Sequence, residues 1–324
     1  MPRLLDVSYI IYADEFHAVL GPSPQFGEIP GVPAHEGPVY VRDEDAVYFT
    51  SVPQTTNIPA FGDRNVFISR LEVATGTVTT YRPTSNMANG MTLDREGRLV
   101  ICEQGTLETP ARIARHDFVS GETVGVVENW FGLPFNSPND VVVKSDGTIW
   151  FTDPNYGALQ GFRPPSINGA FVYRYDPASG LSSVVCDSFN KPNGLAFSPD
   201  ESILYINDSA AIQGPTTPYN PMLPHHIYAF DVLDGSHLGP QRMFAVVTPG
   251  IPDGLKCDSE GRVYSSSFTG VQVFDARGRI LGEILAPGVA NFCFGGVEND
   301  TLFMMCDTAI RTAKIAARGA GVGS

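Results

Sequence analysis

Six polar residues recur at one position of a repeating pattern, each 10 or 11 residues ahead of a short apolar segment. They are Glu36, Asn89, Asn139, Asn193, Asp253 and Asn291. All six carry oxygen acceptors and none is His or Cys, so a shared site would suit calcium or magnesium better than a structural zinc ion. Each Pro-Asn-Gly or Pro-Asp-Gly taken alone also fits a backbone turn. Their recurrence at one repeat position favours a common metal site.

The segments that follow these residues have the length and composition of β-strands. Val47–Thr50, Leu99–Cys102, Ile149–Thr152, Leu204–Asn207, Val263–Ser266 and Leu302–Met305 are rich in β-branched and aromatic residues. Tight acidic or glycine turns such as Asp94–Gly97 precede them, which indicates hairpins. Further apolar runs complete four strands per repeat, at periods of 38 to 60 residues.

This periodicity predicts an all-β fold, a single six-bladed β-propeller domain over residues 1–324 with four antiparallel strands in each blade. The last repeat ends after a third strand near Lys314. An N-terminal strand at about residues 5–20, containing Val7–Tyr12, is expected to complete that blade and close the ring. Residues 316–324 are expected to form a flexible tail. In a propeller the innermost strands line one axis, so the six polar residues should converge there.

Composition limits the partners and the compartment. The formal charge of −14 argues against nucleic acid and anionic membranes, which require basic patches. No apolar run approaches the roughly 18 residues that span a bilayer, and Asp6 comes too early for a secretory leader. Five dispersed cysteines without a C-x-x-C pair fit reduced, buried thiols. We therefore expect a cytoplasmic protein, and the sequence leaves its oligomeric state open.

Several motifs resemble one family of propellers. His35–Pro38, Asn136–Val141 running into Ile149–Pro154 and Tyr156-Gly157, Lys191–Leu195 and Pro252–Gly254 are similar to the SMP-30/gluconolactonase/luciferin-regenerating-enzyme family, over roughly residues 33–315. The Ser-Pro-Asn-Asp run followed by Trp-Phe-Thr-Asp-Pro resembles its lactonase-like branch. The resemblance implies one catalytic divalent cation, calcium first, with magnesium, manganese, zinc or iron as alternatives. It also implies a small-molecule lactone as substrate.

The resemblance assigns roles to particular residues. Glu36, Asn193 and Asp253 would bind the metal, Asn139 would be a fourth ligand or a close contact, and Asn89 would touch substrate. Tyr156, which follows the Asp153-Pro154 turn, is expected to line the pocket. Animal members carry Arg where this chain has Ser137, which leaves sugar recognition open.

The expected activity is metal-dependent opening of a lactone ring. Calcium acidifies bound water weakly, so a base is needed, and Asp253 in its short Pro-Asp-Gly turn is the predicted one. A phosphotriester or phosphofluoridate hydrolase on the same site, and a non-enzymatic calcium-binding scaffold, are the alternatives. His225 and His226 end a Pro-rich loop with no assigned role. No Gly-x-Ser-x-Gly, His-Glu-x-x-His or phosphate-loop motif occurs.

Overall fold

The computed structural model describes residues 8–55, 64–214 and 216–321, whose regular secondary structure is almost entirely β-strand. In chain order the elements are β1 (Tyr9–Ile11), α1 (Phe16–Leu20), β2 (Gln25–Pro30), β3 (Ala34–Val41), a 3₁₀ turn (Arg42–Glu44), β4 (Ala46–Ser51), β5 (Gln54–Thr55), β6 (Arg64–Asn65), β7 (Ile68–Glu72), β8 (Thr77–Arg82), β9 (Ala88–Leu93), β10 (Leu99–Glu103), β11 (Arg112–His116), β12 (Thr123–Val127), β13 (Val141–Val143), β14 (Ile149–Asp153), α2 (Tyr156–Leu159), β15 (Phe171–Asp176), β16 (Leu181–Cys186), β17 (Pro192–Phe197), β18 (Ile203–Asp208), β19 (His226–Leu233), β20 (His237–Leu238), β21 (Arg242–Val246), β22 (Leu255–Cys257), β23 (Val263–Ser266), β24 (Gly270–Phe274), β25 (Ile280–Leu285), β26 (Asn291–Gly295), β27 (Thr301–Met305) and β28 (Ala309–Lys314).

Apart from the β5-β6 hairpin and the short β20, these strands form six antiparallel sheets arranged as the blades of a propeller, as the repeat predicts. From the axis outward the first three blades are β3-β4-β7-β8, β9-β10-β11-β12 and β13-β14-β15-β16. The other three are β17-β18-β19-β21, β22-β23-β24-β25-β1 and β26-β27-β28-β2. Within the described residues, no helix has the length and apolar character needed to cross a membrane.

Apolar packing between neighbouring blades closes the ring. Six clusters of buried side chains lie at six interfaces, each joining two consecutive blades. The interface between the sixth and first blades contains Phe49, Leu71, Phe303 and Met305. The apolar core is therefore spread around the ring at these interfaces, outside the polar axis.

An N-terminal strand completes the last blade, but its position was predicted wrongly. The outer strand of that blade is β2, which pairs along its whole length with β28. The more apolar β1 instead adds a fifth strand to the fifth blade, with Tyr9 opposite Ile284. The short helix α1 explains the difference, because Phe16, Val19 and Leu20 are buried between these two blades and separate the two strands. Residues 5–7 of the predicted strand lie outside the described residues.

The C-terminal segment is bound to the ring rather than forming a flexible tail. The backbone N–H groups of Ala316 and Ala317 both donate to the carbonyl of Val19 at 3.0 Å. The carbonyl of Arg318 accepts from Ser259, and Ala317 is buried. The prediction failed because the small residues here gave no strand pattern, although they fit closely against α1 and β22. Residues 322–324 of the predicted tail are outside the described residues.

Candidate active site

The six polar residues of the repeat occupy the axial ends of the innermost strands. Glu36, Asn89, Asn193 and Asn291 are within β3, β9, β17 and β26. Asn139 and Asp253 come two residues before β13 and β22. The repeat therefore predicted their common location correctly.

Glycines after four of these residues allow neighbouring blades to approach one another closely. A Cβ atom on each glycine would collide with the polar residue of the next blade: 2.3 Å from Asn89 O for Gly37, 2.5 Å from Asn139 O for Gly90, 2.1 Å from Asp253 O for Gly194 and 2.7 Å from Asn291 Cα for Gly254. Only Gly37 among these four has a positive φ. The Asn-Gly and Asp-Gly pairs thus serve close packing around the axis more than turn geometry.

Two carboxyl groups meet at the axis. The side chains of Glu36 and Asp253 are close enough to share a hydrogen bond. Burial, and then the charge of Glu36, raise the pKa of Asp253 well above its usual range. Nδ2 of Asn291 donates to Oε2 of Glu36 at 2.8 Å. Asn291, which sequence reasoning left without a role, therefore orients Glu36.

Amide side chains surround the two acids and offer free oxygens. Asn139 is 6% exposed, and its Oδ1 and that of Asn89 are buried without a hydrogen-bond partner in the described part of the chain. The Asn193 side chain hydrogen-bonds the carboxyl of Asp253 and lies 3.5 Å from the hydroxyl of Tyr156. Together these oxygens form a set that could hold a hard cation. Of the described residues, no three His, Cys, Asp or Glu side chains form a metal-binding group.

Tyr156 lies beside these acids, as expected from its place in the sequence. It begins α2, directly after the Asp153-Pro154 turn. Burial, and then the charge of Asp253, raise the pKa of its hydroxyl group. The phenol therefore remains a hydrogen-bond donor at neutral pH.

The two halves of the third-blade motif are hydrogen-bonded to each other. Both carboxylate oxygens of Asp153 accept from the loop before Asn139, Oδ2 from Asn136 N at 2.9 Å and Oδ1 from Ser137 N at 2.7 Å. Burial raises the pKa of Asp153 to about 7. Oγ of Ser137 donates to Pro154 O and accepts from Gly157 N. Ser137 thus positions the Tyr156 segment and is itself fully buried.

Asp208, at the end of β18, acts similarly in the fourth blade. It accepts from the backbone N–H groups of Asn190 and Lys191, at 3.0 Å each, in the loop before Asn193. Nζ of Lys191 in turn donates to Asn155 Oδ1 at 2.6 Å. An acid at the end of the second strand therefore fixes the loop ahead of the axial residue in both blades.

Sequence reasoning missed two charged residues inside the ring. Asp140 follows Asn139, and its Oδ2 is buried with no hydrogen-bond partner among the described residues. Burial raises the pKa of Asp140 to about 6, opposed by the charge of Lys256, which is 8% exposed. The Ser-Pro-Asn-Asp motif already contained Asp140, whereas a single lysine three residues after Asp253 gave no signal.

The two histidines take part in local contacts. Nδ1 of His225 lies 3.0 Å from Leu223 O, and Nδ1 of His226 lies 3.1 Å from the hydroxyl of Tyr228. Their rings pack against each other, with centroids 5.2 Å apart. The pKa of His226 is lowered, mainly by burial.

These features define a class: a six-bladed propeller whose axis carries two carboxylates within a ring of amide oxygens. Residues 34–308 match the model of the SMP-30/gluconolactonase/LRE-like region. The chain belongs to this family, as the motifs suggested.

The chain is also similar to two characterised relatives and to two solved structures. It is 30% identical to the lactonohydrolase OryL of Aspergillus oryzae over 88% of this chain and 69% of that protein. It is 31% identical to the gluconolactonase of Zymomonas mobilis, over 67% and 60%. A gluconolactonase from Xanthomonas campestris has a similar structure, with a TM-score of 0.79, 31% identity and 95% coverage of both chains. A calcium-binding regucalcin from Agrobacterium tumefaciens, at 17% identity and a TM-score of 0.66, shares the fold.

Proposed function

We propose that this protein is a divalent-metal-dependent lactone hydrolase that opens a sugar-acid lactone or a related cyclic ester. One observation carries the proposal: two buried carboxyl groups, Glu36 and Asp253, lie within hydrogen-bonding reach of each other beside amide oxygens that lack a partner. Like charges at this distance cannot both ionise without compensation, and a bound cation supplies it. The names of the relatives, lactonohydrolase and gluconolactonase, support the choice of substrate.

The oxygens present fit a hard cation, calcium first and magnesium, manganese, zinc or iron as alternatives. Glu36, Asn193 and Asp253 would hold it, with Asn139 as fourth ligand through its unpartnered Oδ1. When bound, such a cation would polarise the lactone carbonyl and stabilise the oxyanion.

The residues of the chain would divide the remaining work. The carboxylate of Asp253 would take a proton from a water molecule while the oxygen of that water attacks the carbonyl carbon of the lactone. The same proton would pass to the ring oxygen as the acyl C–O bond breaks, which leaves a hydroxy acid that loses its carboxyl proton to solvent. The Tyr156 hydroxyl group and the Asn89 side chain would orient the substrate through hydrogen bonds. The hydrogen bonds that Asp153 accepts from the loop before Asn139 would keep Asn139 and Tyr156 in place.

The first prediction separates the base from the metal ligands. Asp253→Asn keeps a ligand oxygen but removes the base, so we expect kcat to fall by about 10²–10⁴-fold with metal still bound. Glu36→Gln should mainly weaken metal affinity, and excess calcium should partly restore its activity. Lactonase assays and metal analysis of both variants measure this. A near-normal kcat for Asp253→Asn at saturating metal would move the base to another group.

A substrate panel tests the reaction class. Sugar-acid lactones, simple esters and one phosphotriester should be assayed with and without chelator. We expect lactones to be hydrolysed fastest, with activity lost in chelator. A preference for the phosphotriester would support the alternative hydrolase, and inactivity towards every compound despite bound metal would support a scaffold.

A further inference from the structure

A cavity lies between the first and second blades, away from the axis and from the candidate active site. Its volume is about 500 Å³, within the range of about 300–1,000 Å³ that small-molecule sites occupy. The ends of β8 and β10, the start of β11 and the segment before β9 form its walls. Its charged and amide side chains include Arg82, Asn86, Glu103 and Arg112.

Strand register places this cavity at the same end of the ring as the candidate active site. In the first blade Glu36 pairs with Thr50, Thr50 with Ile68 and Ile68 with Arg82. Arg82 is therefore level with Glu36, three strand spacings or about 14 Å further from the axis. In the second blade, Glu103 pairs with both Ala88 and Arg112. The two sites thus face the same side of the molecule.

Two polar groups in the cavity lack hydrogen-bond partners. Nη1 of Arg82 and Oδ1 of Asn86 are both buried, and neither has a hydrogen-bond partner among the described residues. A buried donor or acceptor without a partner costs about 1–3 kcal/mol, so each of these atoms requires a partner from outside the chain, a water molecule or a ligand. One of the two atoms is a cationic donor and the other a neutral acceptor.

The carboxylates of the cavity are already paired. Glu103, only 1% exposed, accepts from Nε of Arg112 at 2.7 Å and from Nδ2 of Asn86 at 3.2 Å. Glu128 is 63% exposed and lies 3.7 Å from Nη1 of Arg112. Arg82 has no ion pair within the part of the chain that the structure describes. Its pKa is lowered, mainly by burial, which the nearby charge of Glu103 only partly offsets.

We propose that this cavity binds a small organic anion carrying both a carboxylate and hydroxyl groups. A guanidinium binds a planar carboxylate through two parallel N–H donors, which assigns the anionic end to Arg82. Oδ1 of Asn86 needs a donor, which a carboxylate lacks and a hydroxyl supplies. A polyhydroxy acid meets both requirements. Lactone hydrolysis releases such acids, but binding here depends on neither the reaction nor the metal.

The test uses protein in which the axial site is disabled. Asp253→Asn protein in EDTA should be titrated with sodium gluconate, sodium acetate or glucitol by ligand-observed NMR. Gluconate carries both groups, acetate only the carboxylate and glucitol only hydroxyls. We expect saturable binding of gluconate that is tighter than that of either partial ligand. Adding Arg82→Met should weaken gluconate binding by about 10- to 100-fold, the usual loss for hydrogen bonds to a charged group.

Control variants separate the cavity from general effects. Arg70→Met removes a cation from the same blade that pairs with Glu44, and should leave gluconate affinity unchanged. Asn86 has a φ of +52°, which glycine adopts readily, so Asn86→Gly should remove Oδ1 without backbone strain and weaken gluconate binding. Circular dichroism checks that the Arg82→Met variant is folded. If it is not, Arg82→Lys is used instead. Three results would each overturn the proposal. The Asp253→Asn protein does not bind gluconate, it binds acetate as tightly as gluconate, or its gluconate affinity is unchanged when Arg82 is replaced by Met.

Discussion

At the scale of single residues, the candidate site depends on glycines as much as on its polar side chains. Gly194 shows this dependence, because a Cβ atom there would lie 2.1 Å from the carbonyl oxygen of Asp253. Its small size, not its backbone conformation, is what the structure uses, since its φ is not in the left-handed region. Substitutions that add no charge and remove no ligand can therefore still displace the carboxylate of the predicted base.

Gly194→Ala is expected to damage activity and stability together. The added methyl group must push the fourth and fifth blades apart, at a cost of about 1–3 kcal/mol for overpacking. We expect a lower free energy of unfolding in urea and a lower kcat. Gly239→Ala is the matched control, because among the described residues, apart from its chain neighbours, no atom lies closer than 3.5 Å to its Cβ position. Equal behaviour of the two variants would show that the axis tolerates a wider ring.

At the scale of elements, the blade repeat was predictable and the ring closure was not. Apolar segments following acidic turns identified the second strand of each blade, because those strands are buried on both faces and carry continuous apolar runs. The outer strands are half exposed and carry weaker patterns. Gln25–Pro30, which closes the last blade, contains Gly27 and Glu28 and was overlooked in favour of the more apolar segment at Tyr9–Ile11.

The site residues likewise divide into those that the sequence predicted and those that it did not. Side chains at the repeat position could be found because repetition places them on one axis, and the structure puts Glu36, Asn193, Asp253 and Tyr156 in contact. Asn291 acts on Glu36 where the last blade meets the first, and Lys256 of the fifth blade acts on Asp140 of the third. Spacing along the chain does not encode either interaction. The role of Asp153 in holding a loop depends on a sharp turn that only the folded backbone reveals.

The helix α1 gives the prediction that belongs to this scale. Phe16 is fully buried between the fifth and sixth blades, and its ring occupies the space beside Gly282. Phe16→Ala should lower the free energy of unfolding by about 3–5 kcal/mol, as for other buried aromatic truncations. Phe26→Ala, in β2 and 37% exposed, should cost much less. Denaturant unfolding of both variants measures this, and similar losses would mean that α1 is not part of the core.

At the scale of the whole molecule, the five thiols report on the predicted cytoplasmic location. All five cysteines are free, and four are buried. Burial raises the pKa of Cys306 to about 11 and that of Cys293 to about 12, so these thiols are poor nucleophiles. Cys186 is partly exposed and near the Ser188 hydroxyl group.

Thiol titration of freshly purified protein, without reductant, should therefore give two results. Under denaturing conditions the count should be close to five. In the folded protein one thiol, that of Cys186, should react quickly and the others slowly. A denatured count of three or fewer would contradict the prediction of reduced cysteines and favour an oxidising compartment.

The pairing of β2 with β28 also sets when the site can form. The last blade joins Gln25–Pro30 to Ala309–Lys314, which is made much later in synthesis. At about 5–20 residues per second, β2 waits on the order of 15–60 s for its partner. Asn291, the hydrogen-bond donor to Glu36, belongs to the same late blade. The earlier blades can begin to fold during synthesis, but the chemistry of the axis becomes available only after Ala309–Lys314 has been made.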